Sequence, residues 1–565
     1  MLRPLLVVLA VIALTDFSFS ASQAPTFRLV EATIPDMQAA MAAGRLTSRE
    51  LVTQYLVRLA MHEDRLNAAL YVNPRALEEA DALDRERAQG RTRGPLHGIP
   101  VALKDNIHTT HLPTSGGALV FAGYVPPYEA TLTRHLREAG AIIIAKTGLT
   151  ELANWVAGNP TAMPGNYNAV GGFAFNPYDP RPDPRDTSDG RPALGTGGSS
   201  SGIGTAANLW AASVGTDTGG SVISPSNATM LVGIRPTIGR ISRYGVIPIT
   251  LDHDTAGPMT RSVTDAAIMM GALEGAQPDP SDPATTTCTP PPGRDYTASL
   301  SPDALRGARI GIPRAFYYDA ITLAGEDRTR GGLNTDQVKV MADAIAVLRQ
   351  QGAVIVDPAN VPSLATTAAE DNFAAWDFCS GAEHAKGKDD GCSISFKFGM
   401  KRDFDVWLRS LGPSAPVNSL TALREWNVAH ARRGAIRYGQ SRLDISDEID
   451  LEADRARHHR DQQKDRRLSR ENGIDAVLGE HKLDAIFTHG SAGAALAARA
   501  GYPIIAVPFG VVPNRPGTAF PPDFNARPAP YGVGFTGAAC SEPRLIALAY
   551  AFEQATKRRV PPPLD

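Results

Sequence analysis

Two turns rich in glycine and serine carry the side chains best suited to chemistry in this 565-residue chain. Residues 195–224 read GTGGSSSGIGTAANLWAASVGTDTGGSVIS, where the turns GTGGSSSG and GTDTGGS flank an Ala-rich segment that favours a helix. The stretch is open to three interpretations: a flexible linker, a phosphate cradle, or a place where a serine acts as a nucleophile. A serine hydroxyl needs a base to remove its proton, and a neutral amine can serve as well as an imidazole.

Lys104 is the candidate base. It follows the apolar run from Ile99 to Leu103, which predicts a buried strand, and it enters the turn DNI at the sheet edge, where sites in α/β folds gather. Burial among uncharged polar groups would lower the pKa of its ammonium and leave a free amine. The alternative is an ordinary lysine that snorkels to the surface or pairs with Asp105.

The turn from Asp217 to Ser221 offers the second requirement of acyl chemistry. Its successive glycines, Gly219 and Gly220, let backbone N–H groups converge on one point, as an oxyanion hole requires. A simple tight turn is the alternative here. For the earlier turn, GGSSSG, the alternative is a helix N-cap with spare hydroxyls.

Several familiar motifs are missing from the sequence. No G-x-x-x-x-G-K-[ST] follows a predicted strand, GGSVI lacks the second glycine of a G-x-S-x-G elbow, and no H-E-x-x-H cluster occurs. We expect no metal at the closely spaced His108 and His111. The adjacent His458 and His459 fall in the highly charged segment 442–472, which is interpreted as a solvated helical face.

The cysteines support neither a zinc site nor thiol catalysis, because no pair has metal-finger spacing and none stands beside a histidine. In an exported protein Cys379 and Cys392 could close a short loop as a disulfide, which geometry has to decide. The four positions are Cys288, Cys379, Cys392 and Cys540.

Composition indicates a globular chain without an electrostatic footprint for nucleic acid. Hydrophobic residues make up 43% and charged residues 20%, and 56 Lys and Arg against 59 Asp and Glu give a net charge of −3. Because there is no dense basic stripe, we expect a small-molecule or peptide amide as partner and no nucleic acid. A monomer and a homodimer are both compatible with this composition.

The N-terminus has the layout of an export signal. In MLRPLLVVLAVIALTDFSFSASQA, Arg3 precedes an apolar run, and small residues follow it. The run is shorter than the roughly 20 residues that a bilayer span needs. The sequence predicts a signal peptide over residues 1–20, cleaved near 20–24, with no integral span after its removal and a periplasmic or secreted location. A retained hydrophobic N-terminus is the alternative.

Helical and strand patterns alternate along the chain. Thr47 and Glu50 have capping-box spacing at the start of an amphipathic helix. Residues 129–147 and 336–357 each read as a helix, a glycine stop and a β-rich run, which predicts an α/β architecture with strands buried on both faces. The Pro-rich stretch 278–295 is interpreted as an excursion within one fold.

Several motifs together resemble the amidase signature family: GIPVALKDNI, GTGGSSSG, GTDTGGS, RPTIGRISRYGVIP and DTAGPMTRSVTDAA. They stand in the family's order, and the layout of the chain is most similar to the family's peptide-amidase-like branch. The resemblance implies a single large α/β domain over residues 30–560, with a mixed, mainly parallel twisted sheet between layers of helices. It is weakest at about 360–480, where it implies a variable helical segment.

The resemblance also implies a Ser–cis-Ser–Lys triad that needs neither cofactor nor metal. The lysine of the family's KDN motif matches Lys104, the first serine of its GSS turn matches Ser199, and its nucleophile matches Ser221. Lys104 would take a proton through Ser199, and Ser221 would attack an amide carbonyl. Water would then release the acid from the acyl-enzyme.

Further roles are carried over from the same resemblance. Ser200 and Asp217 are expected to support the site, and the Ser199–Ser200 peptide bond is expected to be cis, which costs roughly 3 kcal/mol. Each donor of an oxyanion hole is worth about 3 kcal/mol. The backbone amides implied for that hole are those of Thr218, Gly219, Gly220 and Ser221.

Two departures from the family pattern stand out. Ser199 and Ser221 are 22 positions apart, two fewer than the family usually shows, so the intervening segment is shortened. Ile223 stands where many members have an arginine, two positions after the nucleophile. The role of that arginine therefore cannot be carried over to this chain.

Other functions remain open from the sequence. One is the glutamine-amidase subunit of a tRNA-dependent amidotransferase, and another is a catalytically silent binding protein of the same fold. Several aromatic residues near the motifs could line an apolar acyl pocket or pack in the core: Phe121, Tyr124, Trp155, Phe173 and Phe175.

Overall fold

The computed structural model of the protein describes residues 27–185 and 189–564. The predicted signal peptide at 1–20 and its cleavage site near 20–24 lie outside the described residues. Of the helices that are described, none has both the length and the apolar character that crossing a membrane requires.

The strands of the described residues are short, and many are buried on both faces. Their bounds are β1 Ala69–Val72, β2 Pro100–Lys104, β3 Ile142–Thr147, β4 Tyr167–Asn168, β5 Gly172–Phe173, β6 Ala212–Asp217, β7 Val232–Arg235, β8 Thr255–Thr260, β9 Arg309–Gly311, β10 Ile321–Thr322, β11 Thr329–Arg330, β12 Val354–Val356, β13 Ala485–His489, β14 Ile504–Val512 and β15 Ala529–Thr536.

The α-helices of the described residues lie between these strands and are densest after β12. Their bounds are α1 Ile34–Ala42, α2 Ser48–Leu66, α3 Ala76–Ala88, α4 Thr131–Glu138, α5 Glu151–Asn154, α6 Ser200–Ala206, α7 Ile223–Ala228, α8 Val263–Leu273, α9 Thr335–Gln350, α10 Pro362–Ala365, α11 Ser395–Gly399, α12 Asp405–Ser410, α13 Leu420–Ala429, α14 Ser441–Asp447, α15 Arg455–Arg466, α16 Asp475–His481, α17 Ala494–Ala500 and α18 Glu542–Thr556.

Eleven of the described strands form one sheet in the order β1-β3-β2-β6-β8-β7-β14-β15-β13-β9-β12. The predicted α/β class, a mixed sheet with helices in a single domain, is confirmed. Parallel pairs occur in two groups, β3-β2-β6 and β13-β9-β12. The other neighbours pair antiparallel, including the whole run from β6 to β13. The expectation that parallel pairs would predominate is wrong, because antiparallel returns fill the middle of the sheet.

Local sequence signals explain several of these elements. Thr47 caps α2 in a capping box with Glu50, as predicted. Gly140 follows α4 with φ of +84° and Gly352 follows α9 with φ of +83°. Glycine adopts this left-handed conformation without a steric penalty, so the chain can reverse from each helix into β3 and β12.

The segment at 360–480 is largely helical and extends from α10 to α16. Phe396 and Trp407 of this segment belong to a second hydrophobic cluster, together with residues that follow β3, such as Trp155. The prediction of a solvated helical face for 442–472 is only partly right. On α15 the side chains of His458, Asp461 and Asp465 are buried, because this helix packs into the domain.

Two disulfides occur in the described residues, one closing a short loop and one linking distant parts of the chain. Cys379 and Cys392 pair with their Cα atoms 5.1 Å apart, which confirms the disulfide suggested by the sequence. Cys288 and Cys540, 5.6 Å apart, form a second disulfide that the sequence analysis did not predict. This second bridge ties the excursion at 278–295 to the turn before α18.

Candidate active site

The three predicted triad residues lie at one edge of the sheet. Lys104 ends β2 and is the register partner of Thr147, which ends β3. Ser199 forms a β-bridge with Leu149, two residues beyond Thr147. Ser221 follows the turn after β6, which pairs in parallel with the other side of β2. Because the carboxyl ends of parallel strands share one edge, strand pairing brings these segments together.

Lys104 is fully buried, and its Nζ donates to the carbonyl oxygen of Thr216 at 3.1 Å. Burial lowers the pKa of its ammonium to about 8, although the Asp217 and Asp254 carboxylates oppose this shift. A substantial fraction of Lys104 is therefore a neutral amine in mildly alkaline solution. This is the state that a general base requires.

Lys146 on β3 is a second buried lysine with different surroundings. Its Nζ lies 3.1 Å from Asp105 Oδ1 and donates to Thr114 Oγ1 at 2.7 Å. The alternative in which Lys104 pairs with Asp105 is therefore wrong, because Asp105 is engaged by Lys146. Lys146 neutralises a buried carboxylate, whereas the hydrogen bond of Lys104 goes to a backbone carbonyl.

Ser199 is the N-cap residue of α6. It is buried and extended, and its Oγ accepts a hydrogen bond from the Ser201 amide at 3.4 Å. Ser201 Oγ lies 2.7 Å from Thr147 Oγ1, which fixes the start of the helix against the end of β3. The helix-cap alternative for GGSSSG is thus correct as local structure and is compatible with a relay role for Ser199.

The Ser199–Ser200 peptide bond is trans, which corrects the cis expectation. Ser199 enters α6 with ordinary N-cap dihedrals, and the Ser200 amide donates to the Gly148 carbonyl at 2.9 Å. Ser200 Oγ donates to Asn166 Oδ1 at 3.2 Å, so this predicted supporting residue anchors the cap. Within the described residues the cis peptide bonds are Asn159–Pro160 and Asp357–Pro358.

Asp217 holds the turn that carries Ser221. Its carboxylate accepts hydrogen bonds from the amides of Gly220 and Val222, both at 2.8 Å. Arg235 donates to the same carboxylate at 2.6 Å, and both side chains are fully buried. Gly220 has φ of +125°, which a residue with a Cβ rarely adopts. The predicted supporting position of Asp217 is therefore structural: it fixes the turn on both sides of Ser221.

One of the four amides predicted for the oxyanion hole is engaged elsewhere. The Gly220 amide donates to Asp217, so its assignment as an oxyanion donor is wrong in this geometry. In the part of the chain that the structure describes, the amides of Thr218, Gly219 and Ser221 have no protein acceptor. Thr218 Oγ1 donates to Asp254 at 2.5 Å, which fixes the first of these residues.

Ser221 lies between two cavities. The larger has a volume of about 700 Å³ and the smaller about 330 Å³. The smaller cavity is lined by Gly197 and Gly198, which precede Ser199, and by Thr150 and Arg191. The lining of the larger cavity includes Thr218, Gly219, Trp155, Phe316, Trp376, Phe378, Phe396, Arg442 and Arg499. Ser221 thus has a cavity on each side, with room for both halves of an amide.

The aromatic residues proposed from the sequence fall into two groups. Trp155 lines the larger cavity. Phe121, Tyr124, Phe173 and Phe175 belong to or pack against the second hydrophobic cluster and line neither cavity beside Ser221.

Sequence reasoning missed most of the lining of the larger cavity. Trp376, Phe378, Phe396 and Arg442 come from the segment at 360–480, where the motif resemblance is weakest, and Arg499 follows it. The sequence signal that could have indicated these lining residues is the density of aromatic residues around Cys379 and Cys392.

The two histidines near the KDN motif, His108 and His111, make contacts with other protein side chains. His108 Nε2 accepts a hydrogen bond from Trp407 Nε1 at 2.9 Å in the second hydrophobic cluster. Burial lowers the pKa of His108 to about 3, so it is neutral at physiological pH. Its neighbour His111 contacts Arg137.

The short segment between Ser199 and Ser221 is accommodated by close packing of α6 against the residues after it. A Cβ built on Gly204 would lie 2.0 Å from the Trp210 ring, and one on Gly202 would lie 2.9 Å from Thr229 Oγ1. The glycines therefore allow a seven-residue helix to pass directly over the start of β6.

Comparison with known proteins agrees with this geometry. A family model described as Amidase matches residues 50–327. A probable amidase from Arabidopsis thaliana is 34% identical over 553 residues, which cover 96% of this chain and 94% of the relative. The chain belongs to the amidase family. A glutamyl-tRNA(Gln) amidotransferase subunit from Chloroflexus aurantiacus is 38% identical to this amidase, over 58% of this chain and 60% of that protein.

Solved structures extend the likeness across nearly the whole of this amidase. The native peptide amidase from Stenotrophomonas maltophilia has a TM-score of 0.77 and 36% identity, covering 95% of this chain and 99% of that one. An amidase family protein from Bacillus anthracis has a TM-score of 0.76 and 28% identity, covering 94% and 92%. The fold and the amidase class therefore apply to the full domain.

Proposed function

We propose that this amidase hydrolyses a peptide-like amide through an acyl-enzyme on Ser221, with Lys104 as the base and Ser199 as the proton relay. The observation that carries the proposal is the environment of Lys104. It is buried with a pKa lowered to about 8, and it bonds a backbone carbonyl at the strand edge where Ser221 meets the cleft. A neutral amine at the same strand edge as a cleft-lining serine is suited to nucleophilic catalysis through a relay.

The first chemical step forms the acyl-enzyme. Neutral Lys104 accepts the proton of Ser199 as Ser199 accepts the proton of Ser221, and Ser221 Oγ attacks the amide carbonyl carbon. The hydrogen bond of Lys104 to Thr216 and the cap hydrogen bond of Ser199 are the contacts of the free enzyme. Catalytic hydrogen bonds commonly tighten only when substrate binds.

Backbone amides stabilise the charge that develops on the carbonyl oxygen. Because the Gly220 amide is held by Asp217, the proposed donors are Thr218, Gly219 and Ser221. Each such donor is worth about 3 kcal/mol in the transition state. The relay then returns the proton to the leaving amine, and water attacks the acyl-enzyme to release the acid and restore Ser221.

A substrate with a large acyl part is supported by the shape of the site. The cavity of about 700 Å³ has an aromatic lining suited to that part, and the cavity of about 330 Å³ suits a small leaving amine. The likeness to a peptide amidase over 95% of the chain supports a peptide-like amide. We therefore favour amides of amino acids and peptides over simple aliphatic amides.

Ammonia release tests this function. Wild-type protein is screened against amidated peptides, N-acetyl amino acid amides and simple aliphatic and aromatic amides, with Ser221→Ala and Lys104→Ala as matched variants. Turnover of peptide-like amides that disappears in Ser221→Ala and nearly disappears in Lys104→Ala is expected. Wild-type turnover in either variant, with the fold intact, would contradict the proposal.

Two alternatives make different predictions. An amidotransferase subunit would co-purify with a second subunit, although the Chloroflexus aurantiacus relative of that name aligns over only 58% of this chain. A silent binding protein would not react with a serine-directed fluorophosphonate, whereas the proposed enzyme is labelled at Ser221.

We also propose that the protein is exported. The layout of residues 1–20 and the two disulfides support this, because disulfides persist in oxidising compartments. Cell fractionation of the expressed full chain, with N-terminal sequencing and a thiol count, is the test. A processed N-terminus near 20–24 without free thiols is expected outside the cytoplasm. An unprocessed, fully reduced protein in the cytoplasm would contradict the proposal.

A further inference from the structure

Three aromatic side chains form one side of the larger cavity, next to the oxyanion turn. We name Trp376, Phe378 and Phe396 the aromatic wall. The rings of Phe378 and Phe396 stack with centroids 3.6 Å apart and an interplanar angle of 28°. A Cβ built on Gly219 would lie 4.0 Å from Phe396 Cζ, so the wall directly adjoins a proposed oxyanion donor.

The buried carboxylate of Asp465 holds this wall from behind. Its Oδ1 accepts hydrogen bonds from Trp376 Nε1 at 2.8 Å and from Arg499 Nη1 at 2.7 Å. The Arg499 guanidinium lies over the Phe378 ring at 3.6 Å, a cation–π contact on the wall. One carboxylate therefore fixes Trp376 directly and Phe378 through Arg499.

Asp465 also reaches the chain that leads into Phe396. Its Oδ2 accepts hydrogen bonds from Ser393 Oγ at 2.9 Å and Ser395 Oγ at 2.8 Å. Arg499 and these hydroxyl groups hold the pKa of Asp465 below its usual value although burial opposes this. The side chain is thus a charged anchor at neutral pH.

The Cys379–Cys392 disulfide closes the loop that carries the wall. Cys379 is the neighbour of Phe378, and its amide donates to the Ser393 carbonyl at 2.9 Å. The Ser393 amide in turn donates to the Asp377 carbonyl at 2.8 Å. The disulfide and these backbone bonds keep the two segments of the wall side by side.

We propose that the aromatic wall binds an apolar side chain of the substrate beside the scissile amide, and that Asp465 and the Cys379–Cys392 disulfide are its positioning residues. The inference rests on the proposed acyl-enzyme function. It assigns substrate selection to residues outside the segment that the Amidase model matches, which ends at residue 327. An aromatic or large aliphatic group next to the amide carbonyl is the chemistry that such a wall recognises.

The test compares ammonia release from N-acetyl-phenylalaninamide and N-acetyl-alaninamide. Wild type is expected to favour the phenylalanine amide in kcat/KM by about tenfold or more, because the wall buries its ring. Phe396→Ala is expected to remove most of this preference through a higher KM for the phenylalanine amide. Equal kcat/KM values of wild type for the two amides would overturn the inference.

Asp465 is tested by conservative replacement. Asp465→Asn keeps the size of the side chain and removes the charge that holds Arg499, so the KM for the phenylalanine amide should rise. The kcat for the alanine amide should stay unchanged, and Asp465→Glu should restore part of the preference. A uniform fall in kcat for both amides would instead show that Asp465 is not a positioning residue for the wall.

The two disulfides provide a matched comparison. Cys379→Ala with Cys392→Ala should lose the preference, whereas Cys288→Ala with Cys540→Ala removes a disulfide that does not line the larger cavity and should keep it. Loss of the preference in both double variants, or in neither, would contradict the positioning role.

Fluorophosphonate labelling separates failure of the wall from failure of the proposed function. A wall variant that labels at the wild-type rate but has lost the preference supports the inference. A wild type that is neither labelled nor active on either amide overturns the proposed function, and the inference with it. If Asp465→Asn does not fold, Phe378→Ala replaces it, and a retained preference there overturns the inference.

Discussion

Residues 100–260, called the nucleophile region for the role proposed for Ser221, and the aromatic wall are built in different ways. In the first, strand pairing and backbone acceptors fix Lys104, Ser199 and Ser221 at one sheet edge. In the second, side-chain stacking, one disulfide and one buried carboxylate fix the rings. The Amidase model covers the first region and not the second. The difference teaches that the sheet positions the proposed reacting groups, while long-range side-chain contacts shape the cleft.

This contrast predicts that changes to Lys104, Ser199 or Ser221 lower kcat for every amide, whereas changes in the wall alter which amide is preferred. The largest effect is expected at Ser221. Ser221→Ala should lower kcat by about 10⁴-fold or more, because the attacking oxygen is removed. Ser224→Ala on α7 is the matched control and should retain activity in the ammonia assay. Comparable loss in both variants would show that packing, and not the hydroxyl of Ser221, is responsible.

The two buried lysines should respond differently. Lys104→Met should lower kcat by about 10³-fold, the contribution of a general base, with little loss of stability. Lys146→Met should leave Asp105 buried without its cation, which costs about 3 kcal/mol in unfolding free energy. Urea unfolding and kcat per folded molecule distinguish the two. Loss of the chemistry of the folded enzyme in Lys146→Met, and not in Lys104→Met, would contradict the assignment of Lys104 as the base.

The pH profile is the next largest expected effect. Lys104 accepts a proton only when neutral, so kcat/KM should rise as pH increases through about 8 and then level off. Asp254 and Asp217 face this lysine and raise its pKa. Asp254→Asn should therefore shift the midpoint to lower pH, provided the turn at Thr218 is kept. A profile that falls over this range, or a midpoint that shifts upward in the variant, is incompatible with Lys104 as the base.

The smallest effect on activity is expected at the disulfide that lies away from the cleft. Removing Cys288–Cys540 should lower the unfolding free energy by about 3 kcal/mol, because the bridge closes a long loop. Neither kcat nor the preference for the phenylalanine amide should change. Denaturant unfolding measures the loss of stability, and the ammonia assay measures kcat and the preference. A changed preference in this variant would contradict the assignment of selectivity to the aromatic wall.

Much of the nucleophile region is predictable from the sequence because its signals are local. The apolar run before Lys104 specifies a strand, and the glycines around Ser199 and Ser221 specify turns. The trans Ser199–Ser200 bond and the engagement of the Gly220 amide by Asp217 are not predictable in this way. Both depend on how the turns pack against neighbouring segments.

The aromatic wall cannot be predicted from the sequence, for a different reason. Asp465 lies in a strongly charged helix, where a solvated side chain is the ordinary expectation. Its burial follows from contacts with Trp376 and Arg499, 89 and 34 positions away in the chain. The pairing of Cys288 with Cys540 spans 252 positions, and the sequence offers no local signal for it.

The most direct test of the central claim is the site of covalent labelling. Wild-type protein is treated with a fluorophosphonate, and the adduct is located by peptide mass spectrometry while residual amide hydrolysis is followed. One adduct on Ser221, loss of activity in proportion to labelling, and no adduct in Ser221→Ala are expected. An adduct on Ser199 or Ser200, or full activity in the labelled protein, would contradict the central claim.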